Sequence, residues 1–179
     1  MKNLIIAFLL FISMPVSAQI KSADLTASGL TCSMCSKAIY KALSNVPFIG
    51  TVTADIEKSS YAITFKPGSK VVLDDVKKAV TDAGFTVAAL KVTAAFEKTE
   101  VYNDAHIDLG GSTFHFINVP KQTISGDKTF TVVDKNFLPV AGHKKYGKFT
   151  TMKCYETGYM GACCPHNIAA KTRIYHVTL

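Results

Sequence analysis

The chain of 179 residues has no tryptophan, six prolines, and thirteen acidic residues against twenty lysines and arginines. It contains no glycine-rich phosphate loop, no serine in a nucleophile motif and no carboxylates paired at convincing positions. Nucleotide binding and the common hydrolytic chemistries therefore have no residues to run on. No basic stripe with interleaved aromatics occurs: lysines adjoin only at Lys77-Lys78 and Lys144-Lys145, so the net charge of +7 reads as solvated surface, not as a nucleic-acid footprint. There is neither an internal repeat nor a low-complexity tract, which excludes repeat arrays and long linkers.

Beyond residue 18 no apolar run is long enough to span a bilayer as a helix. The opening MKNLIIAFLLFISMPVSAQ differs, with one lysine, an apolar run over residues 4–12 and small residues at Val16 and Ala18. This is the pattern of a secretory signal peptide over residues 1–18, cleaved before Gln19. Its loss removes Lys2 and leaves 161 residues of net charge +6. The expectation is a secreted, periplasmic protein that does not span the membrane once processed.

From residue 22 to residue 92 the periodicity changes in a legible order. Leu25 and Ala27 share a strand face over 23–28, and Ile39, Ala42, Leu43 and Val46 recur at helical spacing until Pro47 stops the helix. Val52, Ala54 and Ile56 alternate, as do Tyr61, Ile63 and Phe65, across a turn at 57–60. Leu73, Val76, Ala79, Val80 and Ala83 make a second apolar helix stripe, with Asp74 and Asp75 at its start and Gly84 as its C-terminal cap; 85–92 reads as a last strand. The order βαββαβ is that of a ferredoxin-like fold, α+β in class. A boundary is placed at 93–99, giving a first domain over 19–93 and a second over 97–179. In the second, residues 100–109, 112–119, 128–133, 147–154 and 172–179 carry β-branched and aromatic residues between turns. Five such strands predict a small, mostly-β barrel of the OB type.

The chemistry lies in five cysteines. Cys32 and Cys35 fall on the loop entering the first helix, where the helix dipole and free N–H groups favour thiolates. Two thiolates suit the linear or trigonal coordination of a soft d¹⁰ cation and fall short of the four donors of a structural zinc site. The same pair could exchange disulfides or close a passive one. Against a thioredoxin-type oxidoreductase stand the missing tryptophan, the lack of proline between the cysteines and the βαββαβ order.

The stretch Gly29-Leu30-Thr31-Cys32-Ser33-Met34-Cys35, followed later by Asp82-Ala83-Gly84-Phe85, resembles the heavy-metal-associated domain family over about residues 23–92. That family includes copper chaperones, the N-terminal modules of copper-exporting ATPases and a periplasmic mercury-binding protein. Its motif is Gly-Met-Thr-Cys-x-x-Cys, so Leu30 replaces a methionine that packs beneath the loop, a nearly volume-conserving change. The resemblance implies that Cys32 and Cys35 bind one soft ion and pass it on by ligand exchange, without catalysis. Cu(I) is the leading ion, because copper handling outside the cytoplasm is the commoner need and the simple mercury carrier lacks a second domain. Hg(II), Zn(II) and Cd(II) are accepted by the same donors. The partners implied are the ion itself and a metal-transporting membrane protein or another envelope metallochaperone.

The C-terminal half carries Cys154, Cys163, Cys164 and His166, with Met152 and Met160 nearby, and resembles no family. These donors could form a second Cu(I) or Zn(II) site, or Cys154 could bond to Cys163 or Cys164 as a disulfide. The remaining histidines have blander readings: His115 and His176 as sheet-face residues, His106 in a polar stretch and His143 as loop surface beside two lysines.

Overall fold

The computed structural model describes residues 19–30, 33–164 and 171–179. The expected signal peptide, together with Cys32 and His166, lies outside the described residues.

The chain order is β1 (Gln19–Ser28), α1 (Ser33–Ser44), β2 (Ile49–Asp55), β3 (Ser60–Phe65), α2 (Leu73–Asp82) and β4 (Thr86–Val101). It continues with β5 (His106–Leu109), β6 (Ser112–Phe116), β7 (Gln122–Val132), α3 (Val140–Tyr146), a 3-10 turn (Gly147–Phe149), α4 (Cys154–Thr157) and β8 (Ile174–Thr178). The first six elements are the βαββαβ unit, and their strands lie in the order β2-β3-β1-β4 of a ferredoxin-like sheet. Both helices bury one stripe: Ile39 and Leu43 on α1, and Leu73, Val76 and Val80 on α2, are fully buried. Each contributes about 1.5–3 kcal/mol of hydrophobic stabilisation before entropy is charged. Helix α2 stops where Gly84 takes a φ of 89°. The N–H of Phe85 then bonds Val80 O at 3.1 Å and that of Gly84 bonds Thr81 O at 2.9 Å, the paired bonds of a Schellman cap.

The second half departs from the expected barrel. Among the described residues the eight strands form one open sheet, β2-β3-β1-β4-β7-β8-β6-β5, with β2 and β5 at its free edges, and no barrel closes among them. The boundary expected at 93–99 is no linker, because those residues lie in the middle of the 16-residue strand β4. That strand pairs with β1 over its first part and with β7 over its last, from Lys91↔Thr131 to Val101↔Gln122. Residues 147–154, expected as a strand, form the 3-10 turn, an extended link and the first residue of α4. Their composition does not translate into strand pairing: Phe149 is 42% exposed, while Cys154 is buried with Met152 packed beside it.

Strands β6 and β8 run parallel, and all ten of their residues are buried. One core runs through both halves, from Leu25, Ile39 and Leu90 to Phe114, Phe116, Phe130 and Tyr175. An ionic clamp reinforces the junction. Arg173 donates to Asp74 of α2 at 2.7 Å and to the buried Asp134 at 2.8 Å, and Lys77 reaches Asp74 at 2.9 Å. Burial pushes the Asp74 carboxyl up, but hydrogen bonds from Arg173 and Lys77 outweigh it and hold the group below the usual aspartate range.

Candidate metal-binding site

The turn that carries the first cysteine pair is built from its surroundings. Gly29 has a φ of 87°, which a side chain would strain, and a Cβ there would meet Phe85 at 3.9 Å. Leu30, in the family's methionine position, packs against the main core as its apolar character requires. Cys35 lies in the first turn of α1, half-buried, beside Met34, which is 80% exposed. That turn is anchored from below. The hydroxyl of Tyr61, fully buried on β3, donates to the Ser36 carbonyl at 3.3 Å and lies 3.0 Å from the Ser36 hydroxyl. No acidic residue occupies the first turn of α1.

A ferredoxin-like sheet with a cysteine in the first turn of α1, next to a glycine turn and a buried tyrosine, is the scaffold of a small metal-binding domain. The chain belongs to the heavy-metal-associated domain family, whose pattern matches residues 24–86. It is 34% identical over 71 residues to a mercuric transport protein periplasmic component from Shigella flexneri, a match covering 40% of this chain and 77% of the relative. Among solved structures it is similar to oxidized MerP from Ralstonia metallidurans CH34 (29% identity, 38% of this chain and 94% of the other, TM-score 0.36). It is also similar to the CopZ metallochaperone (25% identity, 37% and 98%, TM-score 0.35).

The C-terminal cysteines do come together. The sulfurs of Cys154, Cys163 and Cys164 all lie within 4.8 Å of one another, and Cys163 and Cys164 are 3.6 Å apart. Cys154 and Cys164 are buried, and none of the three is in a disulfide. Burial, followed by the neighbouring thiols, pushes Cys154 well up. Burial also acts upward on Cys163, but backbone N–H groups at Cys154 and Lys153 and the adjacent thiols hold it below its usual value. A cavity of about 360 Å³, lined by Cys154, Met160 and Cys163 among others, opens beside them.

Two residues with blander sequence readings join this group. His106, His115 and Cys154 also offer donor atoms within 4.8 Å of one another, with His115 Nδ1 3.7 Å from the Cys154 sulfur. His106 stacks on His115 with ring centroids 4.3 Å apart. His115 is indeed on a sheet strand, but it is fully buried, and burial followed by repulsion from His176 and His106 lowers its pKa to about 4. His143 is no surface loop residue: it lies buried in α3, stacked on Tyr155 at 4.4 Å. The signal for the His106–His115 pairing was present in Gly110-Gly111. Both glycines have positive φ, 57° and 76°, as a two-residue hairpin turn needs, and that turn pairs Leu109 with Ser112 and hence His106 with His115.

Proposed function

We propose that the protein is a carrier of one soft metal ion, Cu(I) first, held by the thiolates of Cys32 and Cys35 and handed on by ligand exchange. The observation that carries this reading is the placement of both cysteines within the matched residues 24–86, with Cys35 in the first turn of α1. Two thiolates give a soft d¹⁰ ion a low-coordinate site from which a partner's thiolates can take it without a high barrier. The setting is the periplasm, following the signal-peptide pattern of residues 1–18. No helix among the described residues is long and apolar enough to cross a membrane. The natural recipient is a metal-transporting membrane protein or another envelope metallochaperone. A second reading, a Hg(II) carrier, is favoured by the mercuric transport relative.

Reduced full-length chain, titrated with Cu(I) against a chromophoric chelator, is expected to lose one equivalent of tight binding when Cys32 and Cys35 are both serine. Unchanged stoichiometry in that double variant would refute the site. Competition between Cu(I) and Hg(II), read by elemental analysis of protein from its native compartment, separates the two ions. An insulin-reduction assay with turnover above that of free dithiol would instead favour a thiol-disulfide oxidoreductase.

A further inference from the structure

The Asp104 turn aims two histidines at one thiol. The side chain of His106 has Nδ1 3.1 Å from the Asp104 carbonyl, and a carbonyl can only accept. Nδ1 therefore carries the proton, and Nε2 is left as a buried lone pair with no partner. His115 has Nε2 2.8 Å from the Asp104 carboxylate, so its proton sits there and its Nδ1 lone pair faces Cys154. One residue thus fixes both tautomers, and each ring presents its bare nitrogen. Asp104 is itself held rigidly: its φ is 68°, its N–H donates to Phe116 O at 2.8 Å, and Asn103 Nδ2 donates to its second carboxylate oxygen at 3.0 Å. A histidine whose far nitrogen donates to a carboxylate or carbonyl is the usual outer-shell arrangement of a metal ligand.

We propose that His106, His115 and Cys154 hold a second metal ion of the thiolate- and imidazole-preferring class, Cu(I) or Zn(II), with a thiolate of the Cys163–Cys164 pair as the fourth donor. Donor spacing supports it. Around a tetrahedral ion with the usual bond lengths, a nitrogen and a sulfur sit about 3.6 Å apart and two sulfurs about 3.8 Å apart. The observed separation is 3.7 Å for His115 Nδ1 to Cys154, and the sulfurs of Cys163 and Cys164 both lie within 4.8 Å of that of Cys154. Cys154 belongs to both triads and lines the cavity beside Cys163, so an ion entering there meets the thiol that the histidine triad shares. This site differs from the sequence expectation by drawing its imidazoles from β5 and β6 instead of His166.

The test uses reduced full-length chain with Cys32→Ser and Cys35→Ser, so that failure of the first site has no bearing on the second. Titrated separately with Zn(II) and with Cu(I), it is expected to bind one ion in at least one arm. X-ray absorption at the metal edge should show both nitrogen and sulfur in the first coordination sphere. His106→Gln and His115→Gln are each expected to weaken binding tenfold or more. Should the fully buried His115 variant fail to fold, His106→Gln on the edge strand and the absorption spectrum of the unsubstituted site still decide. No uptake in either arm, an all-sulfur sphere, or affinity unmoved in a folded histidine variant would each overturn the proposal.

Discussion

Tyr61→Phe removes one oxygen atom from beneath the cysteine-bearing turn and leaves the ring packing intact. Tyr61 is 1% exposed and Ser36 is 3% exposed, so water cannot replace the lost phenol. The Ser36 hydroxyl is left buried without its partner, and its carbonyl loses the donation at 3.3 Å. Stranding a buried hydroxyl costs about 1–3 kcal/mol, more than the roughly 1 kcal/mol net worth of the bond itself. At a central value of about 2 kcal/mol, a chain of this length should melt about 4–8 °C lower. The companion variant Tyr61→Phe/Ser36→Ala removes both partners and should recover most of that loss, since no polar group then remains unpaired. Urea unfolding of the two single variants and the double variant closes the cycle. A Tyr61→Phe variant as stable as the parent, or a double variant that loses the sum of the two singles, would show that the pair does not anchor α1.

Three further substitutions test the junction and the loop. Arg173→Met leaves Asp134, 3% exposed, with His176 and Asp74 with Lys77 as the remaining ionic partners, so urea unfolding should report a loss of about 2–3 kcal/mol. Because the folded Asp74 carboxyl is held below its unfolded value, it contributes stability above about pH 4 that is lost as the pH falls through its folded pKa; Asp74→Asn should flatten that acid limb in a pH series of melts. Gly29→Ala forces a side chain into a φ of 87° while meeting Phe85 only at ordinary contact distance, so the loss is backbone strain of about 1–2 kcal/mol, visible in thermal melts.

The first half was legible because its signals are local. Apolar stripes at helical spacing, the Pro47 stop and the Gly84 cap each act within a few residues, and the order they spell is the order found. The first helix, whose apolar stripe runs to Val46 in the sequence, ends at Ser44 in the structure, with Asn45 and Val46 giving way ahead of proline. The second half failed where its contacts are long-range. β-branched and aromatic content is only a propensity, and at 147–154 no strand among the described residues is placed to pair with it, so the segment turns through a 3-10 turn into α4 and leaves Phe149 42% exposed. The lapse in pattern at 93–99 is no boundary: β4 alternates through the buried Val92, Ala94 and Phe96 and then shifts register between Phe96 and Thr99, an irregularity that breaks alternation without ending the strand. Of the site, the cysteine spacing was readable, whereas the joining of His106 and His115 to Cys154 depends on α4 folding across the β5–β6 hairpin.

Strand β4 changes what it means for this chain to have two parts. Residues 91–95 bond to β1 on one side and to β7 on the other, so hydrogen-bond register passes between the halves with no slack. A flexible tether lets one module melt, swing or be clipped away while its neighbour stays intact. A common strand forbids this: cutting at residue 93 would sever the ladder and bare a raw edge on each fragment. Heat or denaturant should therefore take the molecule apart in one step, and an ion bound at either end would steady the other.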